Sequence, residues 1–406
     1  MSTQDTLGTR LTRIALMFST LIFLFALWAN RQWAFTDFRV LHFGSQLVKD
    51  GQADIAYDPV AFAEATNRHE QLSQTARELD TFWSTPTFAL VMRPFALLSS
   101  NAALIVWLAL GVIAVFAAVR ILKLPAWAGA VALAMPFGGG NILTAQTGFF
   151  GLLWAAAIHR LCVDDKPVYA GLVAGLAVLK PTLLLGVAIW WLLDWKRWYP
   201  ALLSALGLGT TLVAISTIGG IGNWQEFLGA LESRGEINQF VIKNQPTLAE
   251  IGNRLVGPDI AEHPIAFALY LALGAVVIQM VRKRWPERTD VISGAAVLVS
   301  VLVSPHLLGY DAGLILVPFA VAVHAGVPHA MLERLMAIYV VTSLMMILGF
   351  GPFGAITDYT SPSTIGLIVI LAMWVPLVTT GHGTVSSIDP RGTVEDDPLE
   401  ELPFAA

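Results

Sequence analysis

The chain has 406 residues, of which 56% are hydrophobic and 13% charged, with a formal net charge of −5. Water-soluble domains carry about 25% charged residues, so this composition and a mean hydropathy of +0.67 exclude an ordinary soluble domain. No basic stripe points to nucleic acid, and the single Cys162 excludes an internal disulfide or a cysteine-based zinc site.

Apolar runs recur from end to end, and a helix needs about 20 apolar residues to cross a bilayer. In chain order they cover 14–29, 102–119, 125–141, 148–160, 168–179, 182–195, 200–219, 264–281, 290–304, 312–325, 333–350 and 363–380. The pattern predicts an all-α fold, a polytopic transmembrane helical bundle of about twelve spans occupying residues 1–380 as one membrane domain. Runs shorter than about 17 residues are expected to be tilted, broken or only partly spanning. Phe88 to Leu98 is a further apolar piece, read as a half-helix beside Arg93-Pro94. Arg10 and Arg13 precede the first run as in a signal peptide, but no small-residue cleavage site follows. Trp28 to Trp33 reads instead as an interfacial aromatic belt after an uncleaved span. The acidic, Gly- and Ser-containing segment 381–406 reads as a disordered tail.

Basic residues of the short loops fall on one side: Arg10, Arg13, Arg120, Lys123, Arg160, Lys166, Lys196, Arg197, Arg282-Lys283-Arg284, Arg288 and Arg334. By the positive-inside rule that side is cytoplasmic, and both termini lie there. The two long polar segments, 31–87 and 220–262, are then extracytoplasmic loops, the first with a helical stretch over Val60 to Leu79.

On this topology the unusual polar residues gather at the outer face. Asp37 follows the first span and is either a general base or the N-cap of a loop helix. Gln146 in Thr144-Ala145-Gln146-Thr147, and Asn244 in the second loop, either bond sugar hydroxyls or satisfy helix-end backbone. Lys180-Pro181 interrupts one long apolar run. A charge at membrane depth costs about 2.5–3.5 kcal/mol on insertion scales, so Lys180 either binds phosphate or snorkels from a helix end. His306, in Ser304-Pro305-His306, binds phosphate, shuttles a proton or is merely interfacial. Asp311, beside Tyr310, either fixes that histidine or caps the next span. Arg39 and Arg93 contact donor phosphate or anionic lipid, or act as interfacial anchors. Asp50, Asp54 and Asp58 form no recognisable cage, and no zinc motif, phosphate loop or nucleophile elbow occurs. No metal site and no cofactor are expected.

The order of these pieces resembles glycosyltransferase family 87, in the GT-C superfamily of polytopic enzymes that use polyprenyl-phosphate sugars. The resemblance rests on Asp37-Phe38-Arg39-Val40, Gly51 and Tyr57-Asp58-Pro59. It continues through Ser84-Thr85-Pro86 with Phe88-Ala89-Leu90, Arg93-Pro94-Phe95, Gln146-Thr147-Gly148 and Leu179-Lys180-Pro181. Asn244-Gln245-Pro246-Thr247, Ser304-Pro305-His306 and Tyr310-Asp311 complete it. It implies that Asp37 is the first-loop general base and that Lys180 and His306 sit near the donor phosphate. It also implies a polyprenyl-phosphate-hexose donor, mannose-like, and a glycolipid or glycan acceptor from the cell envelope. Two departures bear on specificity: the family's proline run is reduced to Trp83-Ser84-Thr85-Pro86, and its Gly-Gln is Ala145-Gln146. The rival expectation is a twelve-span secondary transporter, since such a layout with both ends inside is also a carrier's; the lack of an internal repeat and the outward polar cluster weigh against it.

Overall fold

The computed structural model describes residues 35–67, 82, 84–218, 224–232, 247–248, 264–304, 309–349 and 362–380. The first apolar run, the 381–406 tail, and much of both long loops lie outside the described residues. Among the described residues every regular element is helical.

Prolines set several boundaries, and the side chains of Asp58 and Thr85 cap two helices. Helix α1 (Thr36–Lys49) carries Asp37 in its first turn and Lys49 in its last, both favourable to the helix dipole. Helix α2 (Ala53–Tyr57) is followed by α3 (Pro59–Asn67), whose first free N–H groups, on Val60 and Ala61, are held by the Asp58 carboxylate at 2.8 Å. The helix expected over 60–79 is thus present to residue 67, with its remainder outside the described residues. Helix α4 (Pro86–Met92) has proline in its first turn and stops at Arg93-Pro94, beyond which Phe95–Leu97 form a 3-10 turn. Helix α5 (Ser100–Ile121) then runs unbroken.

The run expected as one span over 125–141 is two helices, α6 (Trp127–Ala134) and α7 (Pro136–Thr144). Met135 between them is extended at ψ 158°, because the residue before a proline is pushed out of the helical region. Helix α8 (Gly148–Val163) is continuous. Helix α9 (Pro167–Gly175) tightens into a 3-10 turn over Leu176–Leu179, breaks at Lys180, and resumes through a second 3-10 turn, Pro181–Leu184, into α10 (Leu185–Leu193). Then follow α11 (Trp195–Ile218), α12 (Trp224–Glu232), α13 (Pro264–Arg284) and α14 (Thr289–Val303). A 3-10 segment over Gly309–Ile315 leads into α15 (Leu316–His324), and α16 (His329–Gly349) and α17 (Pro362–Thr380) close the described chain.

Among the described residues three helices, α5, α11 and α13, are long and apolar enough to cross a membrane, beside several shorter apolar ones. The shorter apolar runs are short or broken helices, as their length led us to expect, among them Pro167–Leu179 and Pro181–Leu193. Large apolar side chains such as Leu203 and Leu206 of α11 and Leu269 and Leu273 of α13 are exposed. A water-soluble chain does not leave so much apolar surface uncovered, whereas lipid covers it. The protein is a membrane-embedded helical protein.

Helix α14 is the central strut. Asp290 apart, each of its residues is buried, and it touches α8, α10, α13, α15 and α17. Backbone contact tightens two crossings. A Cβ at Gly171 of α9 would strike the Ala201 carbonyl of α11, and one at Gly186 of α10 would strike the Ala296 carbonyl of α14. Small residues of this kind let membrane helices approach closely.

The apolar interior falls into two clusters. The larger runs through α8, α10, α14 and α15 and includes Leu183 and Leu184. The smaller joins α1 to α4 and α5 through Phe38, Leu41, Tyr57, Phe82, Phe88 and Trp107, with Leu179 against it. Lys180 sits in the chain between Leu179 of one cluster and Leu183 of the other. The break at Lys180-Pro181 thus falls on the seam between the two cores.

Candidate active site

The carboxylate side of the seam is built by two left-handed residues. Phe35, just before α1, has φ 62°, and its N–H donates to the Leu143 carbonyl of α7 at 2.7 Å. Ala145, just after α7, has φ 51° and ψ 46°, and its carbonyl accepts from the Trp107 indole of α5 at 2.8 Å. A left-handed conformation costs a non-glycine residue roughly 1–2 kcal/mol. The surrounding bonds hold both in place. The result pins the start of α1 to the end of α7, and Gln146 Nε2 donates to Asp37 Oδ2 at 2.8 Å.

Asp37 is the second residue of its helix. Phe35 occupies the N-cap position, and no side chain caps that end, so the capping alternative for Asp37 does not hold. Desolvation by burial pushes its carboxyl above the ordinary carboxylate value of 3.8. The bond from Gln146 and the positive charge of Lys180 pull the other way without overcoming it.

The cationic side rests on the helix break. Lys180 has φ −153° and ψ 79°, extended because Pro181 follows it. Its ammonium donates to both carboxylate oxygens of Asp311 at 2.6 Å and approaches the Thr147 hydroxyl at 3.4 Å. The Asp311 side chain is fully buried, whereas 22% of the Lys180 side chain is exposed. What surface the pair exposes therefore belongs to the lysine. For Asp311, the partner observed is Lys180, and the histidine it was also expected to fix lies outside the described residues.

Gln146 and Thr147 are consecutive, so one short turn touches both halves. It bonds the carboxylate through Gln146 and meets the ammonium through Thr147. Asp37, Gln146, Thr147, Lys180 and Asp311 thus form one connected polar group drawn from α1, the α7–α8 turn, the α9–α10 break and the 309–315 segment. Helix α8 starts at this group. It ends at Arg160 and Asp164, which pair at 2.7 Å, about 24 Å away at 1.5 Å per residue.

The other sequence candidates fare differently. Arg39 lies on α1, partly exposed, two residues past Asp37, a spacing that does not share a helix face. Arg93 is exposed at the end of α4 and is not part of the connected group. Asn244, His306 and the side chain of Tyr310 lie outside the described residues. Sequence reasoning missed Thr147 as a participant, although it follows Gln146 in the same turn. It also missed Trp107, which reads as an ordinary aromatic within a span. His42, one stretch beyond Asp37, is structural. It is buried, stacks on Phe38 with ring centroids 5.9 Å apart, and its Nε2 donates to the Phe95 carbonyl at 3.1 Å.

A carboxylate with a raised proton affinity, an amide that orients it and a partly exposed lysine are suited to taking a proton while stabilising a departing anion. No curated protein and no solved structure gives a match. The model of the family described as glycosyltransferase family 87 matches residues 82–305, more than half of the chain. The matched stretch contains the 145–147 turn, Lys180 and the central strut α14, and on that match the chain belongs to glycosyltransferase family 87.

Proposed function

We propose that this membrane glycosyltransferase moves a hexose, mannose-like, from a polyprenyl-phosphate donor to a hydroxyl of a glycolipid or envelope-glycan acceptor. Asp37 is the general base. The acceptor oxygen attacks the anomeric carbon as its proton passes to the Asp37 carboxylate. The bond from that carbon to the phosphate oxygen breaks with inversion, and the electron pair leaves on the polyprenyl phosphate. Lys180, held by buried Asp311, stabilises the charge gathering on that phosphate. Gln146 keeps the carboxylate oriented. No covalent intermediate is needed, because a phosphate is already a competent leaving group.

The observation that carries this reading is the 145–147 turn, which bonds Asp37 at one residue and meets Lys180 at the next. The side of the membrane follows from charge. Arg160, Lys166, Arg197 and Arg282-Lys283-Arg284 lie near the ends of α8, α11 and α13 remote from the site. The positive-inside rule makes that end cytoplasmic, so the site and the loops 31–87 and 220–262 are extracytoplasmic and both termini cytoplasmic. A carrier holds its substrate near the bilayer midplane between repeats, whereas this group sits where several helices begin or break, and the family is one of transferases. The test is turnover of a polyprenyl-phosphate mannose by the purified protein in liposomes. Asp37→Asn should cut transfer by about 10²–10⁴-fold and keep donor binding. Full activity in that variant overturns the base assignment. Mass spectrometry of envelope lipids and glycans from a deletion strain should show one lost hexose, which names the acceptor.

A further inference from the structure

Lys180 follows a carbonyl that hydrogen bonding within its own helix cannot satisfy. In a 3-10 turn each carbonyl is met by the N–H three residues on. For Ala177 that is Lys180, whose N–H donates at 2.9 Å. For Val178 it is Pro181, which has no N–H. The carbonyl two residues before the lysine therefore needs a partner from elsewhere. Thr85 supplies one from 93 residues away: its Oγ1 donates to the Val178 carbonyl at 3.2 Å.

The same hydroxyl accepts the Phe88 N–H at 3.2 Å and so caps α4, whose first residue is Pro86. It is used in both senses, and Thr85 is only 8% exposed. Its neighbour is anchored too, since the Ser84 carbonyl accepts the Tyr57 hydroxyl at 3.2 Å. Helix α4 packs on α1, which carries Asp37, and on the 3-10 turn that precedes Lys180. The short Ser84-Thr85-Pro86 stretch is thus the joint between the carboxylate's helix and the ammonium's turn.

We infer that Thr85 is a positioning residue for Lys180, holding the proline-orphaned carbonyl of Val178 and through it the ammonium that faces the donor phosphate. The inference rests on the donor-phosphate role of Lys180 proposed above. An unsatisfied carbonyl draws water or shifts until it finds a donor, and the side chain two residues on shifts with it.

The test is a double-mutant cycle on the full-length enzyme with a polyprenyl-phosphate mannose donor. Thr85→Val should raise the donor KM about 5- to 10-fold, the worth of roughly one net hydrogen bond. Thr85→Ser, which keeps both roles of the hydroxyl, should stay within about twofold of wild type. The second arm is the neutral pair Lys180→Gln with Asp311→Asn, which removes the charge while leaving polar partners for both buried groups. On that background Thr85→Val should change the donor KM no further, because the two effects act through one contact. A purely structural role for Thr85 gives the same fold-change on both backgrounds and overturns the inference, as does an unchanged KM in Thr85→Val. Should Thr85→Val fail to fold, Thr85→Gly replaces it, since glycine at an N-cap costs only a few tenths of a kcal/mol. If the neutral pair itself keeps wild-type donor KM, the donor-phosphate reading falls and takes the inference with it. Loss of donor affinity in the neutral pair with additive Thr85 effects removes the inference alone.

Discussion

The two ends of helix α8 hold ion pairs of opposite character. At its start, Lys180 and Asp311 are 22% and 0% exposed and lie between broken helices. At its far end, Arg160 and Asp164 are 35% and 30% exposed one helical turn apart, and Arg197 and Asp165 are 42% and 73% exposed. Exposed pairs are worth about 0–1 kcal/mol and cost little to keep. A buried pair carries a desolvation penalty of several kcal/mol per ion, which its attraction only partly repays. Ordinary folding pressure explains the far end. Left-handed residues do not separate the two ends, since Phe35 and Ala145 lie at one and Asp165 at the other. The near end is a costly arrangement set at a helix break. Such concentrations of expense mark functional sites.

The largest way to test that contrast is at the carboxylate. Asp37→Asn should lower kcat by about 10²–10⁴-fold, the usual worth of a general base, measured as hexose transfer under saturating donor. Next is the buried pair. Lys180→Met leaves the Asp311 carboxylate without its ammonium and should destabilise the protein by about 3–5 kcal/mol, read as a lower melting temperature in detergent. An unchanged melting temperature would mean that the pair contributes nothing the exposed ones do not.

A smaller effect tests the electrostatics of the site. Burial raises the Asp37 pKa, while Gln146 and Lys180 oppose the rise. The base therefore loses its function as pH falls through a value above 3.8, and Asp37→Asn should erase that acid limb from the profile of kcat/KM. Gln146→Leu removes one of the opposing effects, so its acid limb should move to higher pH; a move to lower pH would contradict the bond to Asp37. The linked stability effect has a definite sign. A carboxyl with a raised folded pKa contributes most below its unfolded pKa, and that contribution is lost as pH rises through the folded value. The smallest effect belongs to the far end. Asp165→Asn should change stability by no more than about 0.5 kcal/mol and leave transfer unchanged, checked by the same melt and assay.

Much of the site was legible because its signals are local. Lys180-Pro181 stands out in an apolar run whatever surrounds it, and both its charge and its missing N–H demand partners. Gln146 stands out as an amide in a short turn between apolar helices. The division of the 125–141 run was locally encoded as well, in Met135-Pro136, but averaging hydropathy over a window passes over a single extended residue. Asp37 was ambiguous between base and cap, and the left-handed Phe35, which no residue pattern announced, decided against the cap. The ammonium partner of Asp311 was not legible for a similar reason. A carboxylate at a helix start usually caps, and its ammonium lies 131 residues earlier in the chain.

By itself, then, the order of residues determined the membrane class, the places where helices must break, and the family. These follow from transfer free energy, proline geometry and short motifs, all of which act over a few residues. Only the tertiary structure decided who partners whom: Gln146 with Asp37 across 109 positions, and Thr85 with Val178 across 93. Such pairings depend on how two apolar cores close against each other, and the meeting of polar groups at their seam is a property of packing.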